Sequence, residues 1–131
     1  MNKVNKSFIK NSHYITDLKL CSIRLIDNCK FPWIILIPNR KKVTDITELN
    51  IRDQIVLMKE IVFCSNKMKK IFETSKLNVE KIGNIVSQLH IHIIARSKND
   101  STWPLSVWVV KGKNYTKKSL EVVINKLKKS F

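Results

Sequence analysis

The apolar pattern predicts one domain that mixes strands and helices. Short apolar or alternating runs at residues 20–26, 33–37, 77–82 and 86–95 have the length of strands, while 47–71 and 119–131 carry apolar side chains at helical spacing. A chain of 131 residues, 44% of them apolar, is long enough for one core. Domains of this size bury about two-thirds of their unfolded surface, which offsets the entropy of ordering. No internal repeat or low-complexity tract divides residues 1–131.

Residues 1–12 are polar and rich in Lys and Asn without a period, and read as a frayed terminus or a lead-in strand. Residues 20–26 (LCSIRLI) alternate weakly, Asp27-Asn28-Cys29-Lys30 interrupts them, and 33–37 (WIILI) form a second, buried strand. Pro38 and the charged Asn39-Arg40-Lys41-Lys42 end the pairing, because proline cannot donate to a ladder. Thr47-Glu48-Leu49-Asn50 offers helix-start residues. Beyond them Ile51, Ile55, Met58 and Val62 fall beside Leu57, Ile61, Cys64, Met68 and Ile71, and the two rows merge into one broad apolar stripe. The helix is about six turns long, with Lys59, Lys67, Lys69 and Lys70 toward water. A strand over 77–82, a bend at Gly83-Asn84 and a period-two strand over 86–95 follow. Leu120, Val123, Ile124 and Leu127 place a C-terminal helix within 116–131.

Lys and Arg number 25 against 10 Asp and Glu, a formal charge of +15 that raises the question of a nucleic-acid partner. The cations are 21 Lys and only four Arg, accompanied by 18 Ile and 12 Asn, all residues of A/T-rich codons. Phosphate recognition with bidentate geometry favours Arg, so a solvated lysine coat is the favoured reading and nucleic acid the alternative. Three cysteines without C-x-x-C spacing suggest neither a disulfide framework nor a cysteine zinc site and fit a reducing cytoplasm. No run reaches the roughly 18 to 20 apolar residues of a membrane span, and the N-terminal segment lacks the apolar stretch of a signal peptide.

The informative stretch is Gln88-Leu89-His90-Ile91-His92-Ile93-Ile94. On a strand, Gln88, His90 and His92 project to one side while Leu89, Ile91 and Ile93 anchor the other, and a one-residue slip would bury both imidazoles. Three readings compete. A His-x-His pair can bind metal, but the third and fourth ligands are missing and His13 is remote in sequence. The residues can be plain polar groups on a half-exposed face, although two of only three histidines in one row speak against it. The preferred reading makes one histidine a nucleophile and the other its partner, because imidazole titrates near neutrality and attacks phosphorus well.

Residues 88–94 resemble the histidine triad (HIT) signature, His-φ-His-φ-His-φ-φ with φ apolar, with Gln in place of the first His. Gly83-Asn84-Ile85-Val86-Ser87 precedes it where the family often has Gly-Gln-Ser-Val-x, Ile37-Pro38 matches the strand end before the family's helix, and Trp103-Pro104 follows where many members have Trp-Pro. The pattern is similar to a bacterial subgroup described as diadenosine-tetraphosphate-hydrolase-like. The resemblance, covering residues 20–110, implies an α+β domain with an antiparallel sheet of about five strands, a long helix across it, and a homodimer. It implies His90 as the nucleophile toward the α-phosphorus of a nucleotide and His92 as the group lining the phosphate site. By the same correspondence Asn84 would donate to phosphate, and Asn28 or its rival Asp27 would hold the ribose. Arg96, in line with the histidines, is a further phosphate contact or else a surface ion pair.

Three departures qualify the match. Gln88 cannot hold a proton at neutral pH, Ile85 stands where many members have Ser, and Lys41 and Lys42 follow Pro38 where many have a further His. Trp33, inside an apolar run, reads as core rather than as a stacking platform, and the resemblance implies a dimer contact for the segment of Trp103 and Trp108. The expected activity is that of a cytoplasmic nucleotide hydrolase or transferase acting on a phosphoanhydride or phosphoramidate without metal or other cofactor. A non-enzymatic nucleotide-binding protein and a basic nucleic-acid-binding module are its rivals.

Overall fold

The computed structural model describes residues 3–131. Its order is α1 (Lys6–Asn11), β1 (Ser12–Asp17), β2 (Cys21–Ile26), β3 (Trp33–Pro38), a 3-10 turn (Ile46–Glu48), α2 (Ile51–Ile71), β4 (Lys76–Glu80), β5 (Ile91–Arg96), a 3-10 turn (Val107–Val109) and α3 (Lys117–Ser130). The strands form one sheet in the order β1-β2-β3-β5-β4, antiparallel at every pairing. The expected α+β sheet of five strands is present.

The sheet is covered unequally. Ile23, Leu25, Ile34, Leu36, Ile91 and Ile93 enter the main core on one face, with Leu57, Cys64 and Met68 of α2 and Leu127 of α3. The other face carries two small clusters: Phe8 with Ile35 and Ile37, and Phe31 with Trp33, Ile94 and Val107. His90 and His92 lie between them, His90 against Phe8 and His92 against Trp33.

Several boundaries differ from the sequence reading. Met1 and Asn2 lie outside the described residues, but the rest of the segment expected to fray forms α1 and leads into β1. Asn5 caps α1, its Oδ1 accepting from Ser7 N at 2.8 Å, and Phe8 anchors it at 6% exposure. Two buried apolar residues, Phe8 and Ile15, amid lysines and asparagines make too sparse a period to detect. The strand expected over 86–95 begins only at Ile91, because Leu89 donates its N–H to the carbonyl of Val43 at 2.9 Å instead of joining the ladder.

Helix α2 starts where expected, with Asn50 Oδ1 accepting from Asp53 N at 2.8 Å. Its apolar residues are not one stripe, however. The buried row is Asp53, Leu57, Glu60, Cys64 and Met68, whereas Ile51, Ile55, Met58 and Val62 are exposed. Both buried carboxylates are matched. Arg40 grips Asp53 with two bonds of 2.6 and 3.0 Å, and the Glu60 oxygens accept from the N–H groups of Leu20 and Cys21 at 2.9 and 2.8 Å. Glu60 thus pins the β1–β2 turn to the long helix, and burial, aided by the neighbouring Glu60 carboxylate, pushes the Cys21 thiol up. Among the described residues no helix is long and apolar enough to cross a membrane.

Removing the Glu60 carboxylate leaves two buried donors without acceptors. Glu60→Ala is expected to lower the unfolding free energy by about 2–4 kcal/mol, read by urea denaturation. A loss below about 0.5 kcal/mol would show that the turn finds other partners.

Candidate active site

Strand alternation on β5 sends Ile91, Ile93 and Ala95 into the helical core and His92, Ile94 and Arg96 to the opposite face. His90, one residue before the strand, shares the face of His92; the ring centroids are 4.7 Å apart at 71°. Both are buried, at 6% and 4% exposure. The pairing of β3 with β5 sets Ile35 opposite His92 and Trp33 opposite Ile94, which makes Trp33 a diagonal neighbour of His92 on the same face. Its indole Nε1 donates to His92 Nδ1 at 3.0 Å. Trp108 completes the nest, its ring 5.2 Å from His92 and 5.0 Å from Trp33, both nearly perpendicular. The Trp108 Nε1 donates to Glu80 Oε1 at 3.0 Å, and Glu80 sits opposite His92 on β4.

These bonds determine the protons. Indole N–H is a donor only, so His92 Nδ1 accepts and the ring carries its hydrogen on Nε2. His90 Nδ1 lies 2.7 Å from the carbonyl of Gln88, an acceptor only, so this nitrogen is the donor and the lone pair rests on Nε2. One ring offers an unprotonated nitrogen and the other an N–H. Burial, aided by the cation of Lys81 and opposed by the bond to Gln88, lowers the His90 pKa. Burial and the adjacent His90 push that of His92 down to about 3. Both rings are neutral at pH 7.

The pair opens on a cavity of about 520 Å³ walled by Phe8, Ile26, Ile82, Val86 and Trp108, with Asn11 and Asn84 among its polar groups. No Lys or Arg lines it among the described residues. Ile85 stands at its edge, 98% exposed.

Of the residues singled out from sequence, His90, His92 and Asn84 share this cavity. The others are engaged elsewhere. Gln88 bonds the N-terminal segment, its Oε1 accepting from Asn5 N at 2.8 Å and its Nε2 donating to Lys3 O at 3.0 Å. Asp27 accepts from Tyr115 N at 2.9 Å and has His13 3.4 Å away. Asn28 accepts from Lys30 N at 3.0 Å, and its amide packs so closely on Gly112 that an added Cβ there would come within 2.9 Å. These two residues hold the 111–115 segment and do not line the cavity. Arg96 is neither a phosphate contact nor a surface ion pair here. It is buried and bonded to Asp100, Asn78, Thr102 and the carbonyl of Leu105, and it pulls the Asp100 carboxyl down to about 2. Trp33 is buried as expected, but it works on His92 as well as filling core. Phe8, Asn11 and Trp108 were not expected at the site, and no local pattern could show them, since only the folded sheet brings residues 8, 33, 92 and 108 together.

A HIT domain model matches residues 8–99. The chain belongs to the HIT domain family. Among solved structures, a histidine triad protein from Bradyrhizobium japonicum is 32% identical over 98% of this chain and 96% of its own, with a TM-score of 0.93. One from Sinorhizobium meliloti is 30% identical over 99% and 97%, with a TM-score of 0.94. A Plasmodium falciparum diadenosine triphosphate hydrolase, 20% identical over 96% and 77% at a TM-score of 0.69, shares the fold. No curated protein matches the chain.

Two outcomes follow from the imidazoles of this HIT protein. Nitrogen-15 spectra of the His92 ring should show the Nε2–H tautomer, with Trp33→Phe producing a mixture; an unchanged spectrum would mean that the indole does not set the proton. At pH 7 the rings are neutral in the folded chain and mostly neutral in the unfolded one, so the linkage there is small. Below their ordinary value of 6.5 the unfolded chain binds protons that the native one refuses. The unfolding free energy is therefore expected to fall from pH 6.5 toward about pH 5, and His92→Phe should flatten that slope in denaturation series.

Proposed function

We propose that this protein hydrolyses a nucleoside phosphoanhydride at its α-phosphorus through a covalent nucleotidyl-histidine on His90. The observation that carries the reading is the pairing of an unprotonated His90 Nε2 with a His92 Nε2–H beside one cavity. The Nε2 lone pair forms the N–P bond as the P–O bond to the leaving group breaks, the oxygen keeping the electron pair. The positive charge left on the ring is met by the Gln88 carbonyl at Nδ1. His92 donates a hydrogen bond to the phosphoryl oxygens, which gain charge in the transition state. Water then attacks phosphorus, the N–P bond breaks with its electron pair returning to Nε2, and a water proton passes to the medium.

The same tautomers favour one leaving group. A phosphate departs as an anion and needs no proton, whereas an amine must be protonated. His92 cannot supply that proton without becoming an imidazolate, and Gln88 has none to give. An anhydride therefore suits the site better than a phosphoramidate. Asn84 serves as a phosphate donor, while exposed Ile85 and half-exposed Trp108 offer apolar surface to a base. The resemblance to the diadenosine-tetraphosphate-hydrolase-like subgroup, and a fold shared with a diadenosine triphosphate hydrolase, make a dinucleoside polyphosphate the natural probe. The basic surface raises the local concentration of such anions. Three free cysteines support a reducing, cytoplasmic setting.

With α-labelled diadenosine tetraphosphate, acid-labile label should be trapped on His90, and His90→Ala should lower turnover by about 10³-fold or more. Equal hydrolysis by wild type and variant would end the reading.

We further propose that the protein works as a homodimer seated on α2. Ile51, Ile55, Met58 and Val62, spaced 4, 3 and 4 residues apart, leave an exposed apolar seam along the helix. Met58→Glu is expected to halve the mass seen by light scattering; a wild-type chain of monomer mass would remove the proposal.

A further inference from the structure

Gln88 occupies the place of the first histidine in the HIT signature, and its amide does something an imidazole does poorly. The Lys3 carbonyl and the Asn5 N–H flank Val4 and point to one side, as the groups of an extended strand do. A carboxamide presents an acceptor and a donor side by side and meets both, at 2.8 and 3.0 Å, across more than eighty residues of sequence. A carboxylate would lose the donor, and the two nitrogens of imidazole diverge.

The residue held in this way, Asn5, is the cap that starts α1. One turn on, Phe8 lays its ring 4.6 Å from His90 at 65°, and Ser7, Phe8 and Asn11 form a wall of the cavity. The far end of α1 is fixed in the interior, where Ser12 hydrogen-bonds the Phe8 carbonyl and Arg24 donates to Ser12 Oγ and O at 2.7 and 3.0 Å. At the near end Val4 is only partly buried against the Phe8, Ile35 and Ile37 cluster, and Lys3 and Asn5 are exposed. Both bonds to Gln88 are exposed, and Val4 and Gln88 line two open cavities of about 340 and 430 Å³. A strap fixed at one end and clasped at the other opens at the clasp.

We propose that Gln88 is a positioning residue whose amide clasps the N-terminal strap so that α1 closes the site over His90. This deepens the reading of His90 as nucleophile and rests on it for its catalytic consequence. The strap shields the nucleophile from water, and its release admits substrate.

The test reads the strap without using turnover. Carbethoxylation of His90 by diethylpyrocarbonate, followed by peptide mapping with His13 as internal control, measures how often Phe8 leaves the ring. Breaking two exposed hydrogen bonds should raise the His90 rate by about tenfold in Gln88→Ala, with His13 unchanged. Gln88→Glu, which keeps only the acceptor, should fall between the two. A second pair acts from the other side of the clasp. Asn5 has φ of −54°, which proline adopts without strain, so Asn5→Pro removes the N–H while Asn5→Ala removes only the cap. Asn5→Pro should expose His90 more than Asn5→Ala does.

The pH profile of the reaction adds a readout that loss of stability alone would not give. The groups acting on His90 are Lys81, which follows β4, His92 on β5 and the Gln88 carbonyl; α1 presents Phe8, with Lys6 and Lys10 exposed. With the strap open the His90 midpoint should rise toward its ordinary value. Equal His90 rates in wild type, Gln88→Ala and Asn5→Pro would overturn the clasp whatever the catalytic role of His90. Hydrolysis surviving in His90→Ala would overturn the nucleophile and leave the clasp standing.

Discussion

Strand β5 pairs with β3 on one side and β4 on the other, and its two faces have opposite chemistry. Ile91, Ile93 and Ala95 fill the core beneath α2, while His92, Ile94 and Arg96 face the second layer. A register slip by one residue would put His92 and Arg96 among Leu57, Cys64 and Met68, where their nitrogens would have no partners. Each such group costs about 1–3 kcal/mol, more when charged. The register is therefore over-determined, and everything that defines the histidines is drawn from it. The Trp33 bond exists because Trp33 is opposite Ile94, and Trp108 is placed by Glu80 because Glu80 is opposite His92.

Arg96 shows how the same strand organises the loop beyond it. Its guanidinium, stacked against Phe31 and Trp103 at 5.5 and 5.6 Å, satisfies Asp100, Asn78, Thr102 and the Leu105 carbonyl. The chain that carries Trp108 is thereby folded back over Trp33. A cation at the end of the histidine row reads as a phosphate ligand in sequence, but a buried charge must find its partners inside the protein, and this one finds them in the loop that follows β5 and in Asn78 of β4.

How much was legible in the sequence follows from how local each signal is. The two faces of β5, the bend at Gly83-Asn84 and the start of α2 at Asn50 rest on adjacent residues and could be read directly. The choice between the two apolar rows of α2 could not, because the buried row contains Asp53 and Glu60, whose partners Arg40, Leu20 and Cys21 are distant in sequence. The helix α1 escaped for a related reason: Phe8 is its buried anchor, and the bonds that hold its start come from Gln88. Gln88 itself read only as a departure that cannot hold a proton, since substitution at a signature position is visible while the partner gained is not.

The charge of +15 and the uncharged cavity are complementary rather than contradictory. A nucleophilic imidazole has to remain unprotonated while a polyanion approaches, and each negative charge brought near raises its pKa. Burial and the cation of Lys81 displace His90 in the opposite direction before any ligand arrives. On the proposed reaction, that margin would let the ring keep its lone pair while a polyphosphate is bound. Cations inside the cavity would hold phosphate more tightly in the ground state, without stabilising the transition state selectively. On the same proposal, neutral donors such as Asn84 and the His92 Nε2–H, supported by a basic exterior, would bind the anion less firmly at rest. They would respond most as charge builds on the phosphoryl oxygens, which is where hydrogen bonds in a dry site gain the most strength.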